Sequence, residues 1–443
     1  MDLDFDELLP GDDPPKKANM GTKARKKAAT AKQPATKMTA ATKMTVGPPQ
    51  MKKKPSVAEQ RAESPMSNSD VPSETSGAPP STVPERTTRV RLGTFFSGIE
   101  TPSIALQQAG IDHQLEFGIE MDDTLRQAVE EMWSPREMHG NIEEVNFLKL
   151  PAVDGVVGGP PCQSFCMGGN GNGLADDRGK LIFKMNDFVD DRAGAGKSLP
   201  KFLILENSKT LYGKYKFVLE TIKSRFKKHG YKVKHKVLNT ANNGIAHERH
   251  RTFIVAYKPR CEREFRFPSK LGHTMPMSKI LCRRSKNIDH LPITTNAQRD
   301  RISEVKKLLR KKNELTEVST NAEIFIDVDC SKKFGPNYSI GTMMSLTRRR
   351  AEAGGWFMLK RGRRMTSSEM LRAQGISPTC MEKAKSLPSR ALMKAVGNAM
   401  SANVLERMLT RVLYATGLSE KREDKWKNAD FVKKGGHFAS NIA

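Results

Sequence analysis

Apolar runs closed by glycine or proline dominate residues 89–259, and their spacing predicts the elements there. Residues 90–96 (VRLGTFF) read as a buried strand ending at Ser97-Gly98, and residues 102–109 then take a helical pattern. Further strands are predicted at 114–119, 153–157, 202–205, 235–239 and 252–257. Helical patterns fall at 123–132, 181–188 and 214–229. Strands alternating with helices predict an α/β fold on a mostly parallel sheet. After Pro259 the pattern changes. Residues 260–360 are basic and weakly periodic, apart from alternation at 356–359 and one amphipathic helix predicted at 297–311. That helix places Ile302, Val305, Leu308 and Leu309 on one face. Helical patterns return at 367–374 and 403–413, and residues 419–443 are polar.

Composition sets residues 1–88 apart as a disordered, low-complexity tail rich in Ala, Thr, Lys, Pro and Ser. It repeats ATKMT at 35–39 and 41–45, and it carries basic clusters at 23–27 and 52–55. These clusters fit nuclear import or DNA tethering, and equally a solvated linker. The whole chain has 75 Lys and Arg against 49 Asp and Glu, a formal charge of +26, which suits a polyanionic partner. Six cysteines lie scattered without metal-ligand or disulfide spacing, so no metal is expected and a reducing interior is. No apolar stretch approaches the roughly 18 residues of a membrane span, and the acidic start is no signal peptide. A soluble, intracellular protein with no membrane partner is expected.

Several short segments carry candidate chemistry. The turn Phe96-Ser97-Gly98-Ile99-Glu100-Thr101 joins a strand to a helix, where glycine lets a nucleoside cofactor approach the backbone. Glu120 ends the next strand, where a carboxylate can bind ribose hydroxyls. Gly159-Pro160-Pro161-Cys162-Gln163-Ser164 follows an apolar strand, which puts the Cys162 thiol on a stiffened loop at the ligand-binding edge of the sheet. Glu206-Asn207 closes another strand. Arg249 and Arg251 are two apart at a strand edge and point to the same side, so either can clamp a carboxylate. Gly397-Asn398-Ala399-Met400 precedes the last helix. The GAGKS at 194–198 lacks the first glycine and the preceding strand of a phosphate-binding loop and is set aside.

In this order and spacing the segments resemble the DNA (cytosine-5) methyltransferase family over residues 91–415. Phe96–Thr101 is similar to its first cofactor motif, Pro161-Cys162-Gln163 to its nucleophile motif, and Glu206-Asn207 to its glutamate motif. Arg249-His250-Arg251 resembles its arginine motif, residues 363–375 its following helix motif, and Gly397-Asn398-Ala399 its last motif. The resemblance implies a Rossmann-like methyltransferase domain at 89–259 and 361–418, with an inserted target recognition domain at 260–360. It implies S-adenosylmethionine as donor and S-adenosylhomocysteine as product. It implies methyl transfer to C5 of a cytosine flipped out of double-stranded DNA, through a covalent bond from Cys162 to C6. Glu206, Arg249 and Arg251 would complete the catalytic set. Cofactor contacts carry over to Phe96, Ser97, Gly98, Ile99, Glu120, Met121, Asn141, Ile142, Asn398 and Met400. DNA contacts carry over to Gln163, Ser164, Arg178, Thr342, Arg348, Arg349 and Arg350, with Lys360–Arg364 adding phosphate-binding charge. The glycine-rich segment 166–178 would be a lid over DNA.

The sequence departs from the family pattern at Glu100-Thr101 (a glycine pair is usual), Asn141 (an acid is usual), Ser208 (valine) and His247 (glutamine). Two alternatives follow from the resemblance. A tRNA-methylating enzyme shares the chemistry, but its Cys-Phe-Thr segment is absent from 208–215 (SKTLYGKY). A catalytically inactive DNA-binding homologue would lose the Cys or Glu motif, and both are kept.

Overall fold

The computed structural model describes residues 89–165, 172–282, 290–312, 322–384 and 386–427. The predicted N-terminal tail, most of the C-terminal one and lid residues 166–171 lie outside the described residues.

The central sheet has seven strands: β1 (Val90–Phe95), β2 (His113–Ile119), β3 (Glu137–His139), β4 (Gly155–Gly158), β5 (Phe202–Ser208), β6 (Lys232–Asn239) and β7 (His250–Tyr257). Their spatial order is β3-β2-β1-β4-β5-β7-β6. The first five are mutually parallel, and β7 runs antiparallel between β5 and β6. The mostly parallel α/β sheet expected from the sequence is therefore present. Strands covered on both faces need apolar residues at successive positions, which explains FLIL in β5 and FIVAY in β7.

The two faces feed two cores. Phe202 and Ile204 join Phe253, Val255 and Tyr257 on one face, under α1 (Thr101–Gln108) and the C-terminal helix Ala402–Ala415. Leu203, Leu205, Ile254 and Ala256 face the other way. There they meet α4 (Lys184–Gly194) and α5 (Lys216–Lys228), which follow α2 (Asp123–Trp133) and the short α3 (Asp177–Lys180) along the chain. The same alternation places Glu206 and Arg251 on the first face. Under the turn that follows β1, the Phe95 ring lies 5.6 Å from both Phe147 and Phe188, centroid to centroid, and such aromatic pairs add roughly 0.5–1.5 kcal/mol each beyond area burial.

Three boundaries differ from expectation by three residues. β5 continues through Glu206 and Asn207 to Ser208, because β7 pairs with it along that whole length. β6 starts at Lys232: this edge strand exposes Lys232 and Lys236 and only half buries the residues between them, so its first half carries little apolar signal. The helix expected at 181–188 is a 3-10 turn, Leu181–Phe183, followed by α4.

A second, antiparallel sheet orders β11 (Arg363–Arg364), β10 (Phe357–Met358), β8 (Ile324–Ile326) and β9 (Tyr338–Ile340). After the short α6 (Met277–Ile280), helix α7 (Asn296–Lys311) starts at a Thr295/Gln298 capping box and packs on this sheet through Ile302, Val305 and Leu309. Leu308, expected on the same face, is only half buried. Three helices complete the described chain: α8 (Arg348–Glu352), α9 (Ser367–Ala373) and α10 (Ser389–Asn398), ahead of α11, the helix Ala402–Ala415.

Candidate active site

Register brings the candidate residues to one edge. Phe95 pairs with Ile119 and Gly158, Ile119 with His139, and Gly158 with Leu205. The residues that follow these positions (Phe96, Glu120, Gly140, Gly159 and Glu206) thus stand in one row at the carboxyl ends of five strands.

The Cys162 loop is held from beneath. Asn207 Nδ2 donates to Pro160 O at 3.2 Å, and Phe165 N donates to Cys162 O at 2.9 Å. Phe165 is buried edge-on against Tyr215 at 5.1 Å, and Thr210 Oγ1 donates to its carbonyl. Cys162 is half buried and not in a disulfide. Gly159 keeps the loop close to the glutamate: a Cβ there would lie 2.9 Å from Met400 Cε and 3.6 Å from Glu206 Oε2.

Glu206 is 8% exposed, and Arg251 Nε lies 3.0 Å from its Oε1. The two residues are diagonal neighbours across β5 and β7, since Glu206 pairs with Phe253 and Ser208 with Arg251. The contact is an ion pair without hydrogen-bond alignment, so Oε1 remains a buried acceptor with no aligned donor.

Arg249 corrects the expectation for the paired arginines. It precedes β7, so the alternation of a strand does not apply to it. Its Nη1 donates to Leu346 O at 2.7 Å and Gly397 O at 3.3 Å, and its Nη2 to Ala399 O at 2.7 Å. Burial pulls its pKa down to about 9, Arg251 adds to the effect, and Glu206 and Cys162 oppose it. The buried Arg249 thus fastens three segments around the site, while Arg251 holds the glutamate. His247 sits beside it, fully buried. Leu346 N donates to its Nε2 at 3.0 Å, so Nδ1 carries the proton shared with Ala373 O at 3.0 Å. Burial and the Arg249 charge hold its pKa well below the usual histidine value, so the ring is neutral. This is what the histidine does at the position where glutamine was the usual residue.

The turn after β1 has three residues in left-handed conformation: Phe96 at φ 57°, Gly98 at 56° and Glu100 at 58°. Gly98 N donates to Glu120 Oε2 at 2.9 Å, and Asp122 N to Glu120 Oε1 at 3.1 Å. A Cβ on Gly98 would meet nothing within 4 Å, so the turn opens onto free space beside the Glu120 carboxylate. That opening fits a nucleoside with ribose hydroxyls. Glu100 is fully buried beneath the turn. It accepts from Thr94 Oγ1 at 2.8 Å and Ser103 Oγ at 3.0 Å, and Thr94 Oγ1 is 2.7 Å from Ser97 Oγ. Burial pushes its pKa up to about 7 despite these bonds. Hydroxyl partners at 94, 97 and 103 were the sequence signal for this network.

Not every cofactor candidate presents its side chain. Ile99 and Ile142 are buried in cores, so only their backbone can face a ligand. Asn141 binds Glu144 Oε1 at 3.1 Å, Met121 is 76% exposed, Asn398 is exposed and Met400 packs over Gly159.

The DNA-contact candidates divide in the same way. Ser164 is fully buried, with its carbonyl accepting from Gly173 N at 2.8 Å, so its side chain faces the core. Gln163 and Thr342 are half buried, and Met343, next to Thr342, docks beside His247 through Ala246 and Glu248. Arg178 is exposed and forks onto Asp176 at 2.7 and 3.1 Å. Arg348 and Arg349 are exposed at the start of α8, but Arg350 pairs with Asp327 at 2.8 Å. The phosphate-binding charge expected at 360–364 is largely consumed inside. Arg361 pairs with Glu323, Arg364 forks onto Asp329 at 2.9 Å twice, and Arg363 forks onto Glu369 at 2.8 and 2.9 Å. Glu369 has a sequence signal of its own, because Thr366-x-x-Glu369 is a capping-box signature.

A thiol loop, a shielded glutamate–arginine pair and an open turn beside a carboxylate share one edge of an α/β sheet, a layout that suits group transfer with a nucleoside cofactor. Residues 90–413 match the family model described as C-5 cytosine-specific DNA methylase, and the chain belongs to that family. It is 25% identical over 305 residues to the type II methyltransferase M.HaeII of Haemophilus aegyptius, covering 68% of this chain and 86% of that one. It is 27% identical over 320 residues to M.NgoBI of Neisseria gonorrhoeae, covering 70% and 89%. The fold is similar to the Entamoeba histolytica methyltransferase EhMeth, with TM-score 0.52 and 15% identity over 75% of this chain and 99% of that one. It is also similar to S. pombe Dnmt2, with TM-score 0.50 and 15% identity over 73% and 98%. The chain is thus a cytosine C5 methyltransferase of the DNA-modifying class, with S-adenosylmethionine as its donor.

Proposed function

We propose that the enzyme flips a cytosine out of double-stranded DNA and methylates it through a covalent adduct of Cys162. The observation that carries this reading is the pairing of the Cys162 loop with Glu206, on adjacent strands β4 and β5, beside a buried carboxylate oxygen that lacks an aligned donor. A flipped cytosine offers that oxygen its exocyclic amine, and Arg251, 3.0 Å away, holds Glu206 in place. The Cys162 thiolate bonds to C6, and the electron pair displaced from the C5–C6 bond makes C5 nucleophilic. The bound donor supplies an electrophilic methyl group, and Phe96, Ser97, Gly98 and Glu120 would hold its nucleoside part. After transfer, a base removes the C5 proton, the double bond re-forms and Cys162 is expelled. The second sheet, with Thr342, Arg348 and Arg349 at its border with the site, serves as the target recognition domain.

The test is methyl transfer from labelled S-adenosylmethionine to unmethylated DNA, hemimethylated DNA and tRNA, beside Cys162→Ala. Transfer to DNA that vanishes in the variant is expected, as is a denaturation-resistant adduct with duplex carrying 5-fluorocytosine, where the C5 proton is replaced. Transfer to tRNA alone, or an active Cys162→Ala enzyme, would sink the proposal.

A further inference from the structure

The segment 208–217 (SKTLYGKYKF) follows Glu206-Asn207 directly, and the site described above uses only its anchors. Leu211 is fully buried and Tyr215 nearly so, against Phe165 of the nucleophile loop. Between and beyond these anchors Lys209, Tyr212, Lys214, Lys216 and Phe217 all point outward. Tyr212 is 53% exposed and Phe217 59%, two of the four exposed large hydrophobic residues among those described. Phe217 lies outside the core stripe of α5, which is Val218, Leu219, Ile222 and Phe226. Lys209 and Lys216 make no ion pair among the described residues, and no acid occurs between Glu206 and Glu220, which is occupied by Lys223 at 2.8 Å. Lys214 lies over the Tyr215 ring at 5.1 Å, and the exposed Tyr212 ring lies 5.6 Å from His235. Lysines without carboxylate partners, interleaved with exposed rings on an anchored loop, suit phosphates and base faces together. Lys209 is three residues from Glu206, so their Cα atoms lie within roughly 10 Å, about three base-pair steps of duplex.

Resting on the proposed reaction, we propose that the loop 209–217 is a second DNA-contact surface, beside the nucleophile. Its lysines engage phosphates flanking the target cytosine, and its rings engage bases unstacked when that cytosine is extruded.

The test uses the full chain, a labelled duplex of about 30 base pairs and a salt series, with Kd for S-adenosylmethionine and Tm as controls. Three variants are compared: Lys209→Ala/Lys214→Ala/Lys216→Ala, the matching triple Arg variant, and Tyr212→Ala/Phe217→Ala. The triple Ala variant should weaken DNA binding about 10-fold or more and flatten the log Kd against log salt slope by about 2 to 3, because each phosphate contact contributes about 0.9. The triple Arg variant should restore both. The aromatic variant should lose roughly 10-fold in affinity with the slope unchanged, since stacking is insensitive to salt. Cofactor Kd and Tm should stay at wild-type values in all three. Unaltered DNA affinity and slope overturn the inference, and so does a loss confined to tRNA binding. A wild-type chain that binds no DNA instead overturns the functional reading on which the inference rests.

Discussion

Two of the buried arginine–carboxylate pairs among the described residues differ in their unused valences. At the junction of β11 and α9, Glu369 is fully buried and accepts from Arg363 Nη1 and Nη2, Thr366 N and Cys282 N, all within 2.9 Å. At the end of β5, Glu206 is nearly as buried but leaves Oε1 without an aligned donor, and its neighbour Arg249 leaves Nε unbonded. A buried polar atom without a partner costs roughly 1–3 kcal/mol, so a saturated pair marks architecture and an unsaturated one marks a place kept for a ligand. Arg251 and Arg363 therefore do different work.

The largest effect expected from this contrast is at Glu206. Glu206→Gln keeps the shape and removes the charge, and we expect kcat to fall about 10²–10⁴-fold, the range over which a positioned acid–base group acts. Tm should change little, because the Arg251 side chain is 20% exposed and water can solvate the charge the variant leaves behind. An enzyme that unfolds instead, or that stays active, would erase the distinction between the two sites. The converse applies at Glu369. Glu369→Ala strands the Arg363 guanidinium and should cost about 3–5 kcal/mol of stability in denaturant unfolding, the usual result of breaking a buried pair. Burial alone would raise the Glu369 pKa, but Arg363 and the two backbone amides override it and hold it low. The pair is therefore lost as pH falls below the ordinary carboxylate range. Activity per folded molecule should survive, and a selective loss of kcat would show that the pair serves chemistry after all.

The same contrast explains what could be read from the sequence. The strand-helix alternation from 90 to 257 was legible because buried parallel strands demand continuous apolar runs, and the turn residues after them mark the ligand edge. Cys162, Glu206 and Glu120 stand where that logic put them. The second sheet was not legible beyond its last alternation: β8 is three residues long, and its pairing with β9 and β10 is set by register rather than by pattern. Nor were the fates of the arginines. Arg361 finds Glu323 and Arg364 finds Asp329 more than thirty residues away, so a basic cluster that reads as a DNA contact is an internal brace. The Arg249 guanidinium likewise bonds to the carbonyls of Leu346, Gly397 and Ala399, since a residue name next to a motif does not say which side of the loop it faces.

Glu100 offers the smallest and most specific test of the contrast. It resembles Glu369 in burial and in having both oxygens bonded, yet its donors are neutral hydroxyls where those of Glu369 include a guanidinium. Hydroxyls do not offset the loss of solvation, and the pKa rises from its ordinary 4.5 to about 7. The folded chain therefore keeps the Glu100 proton where the unfolded chain has lost it, and stability falls as pH rises from about 4.5 to about 7. A shift of that size corresponds to on the order of 3 kcal/mol. Glu406, also raised to about 7 by burial, and His247, held low, impose their own slopes on the whole protein, so only a difference isolates Glu100. Glu100→Gln cannot ionise. Its stability relative to wild type, measured by denaturant unfolding, should improve steadily from pH 5 to pH 7.5 and then level off. A difference that is flat across that range would mean Glu100 stays ionised in the folded chain, and that the hydroxyls at 94 and 103 suffice to hold a buried charge beneath the cofactor turn.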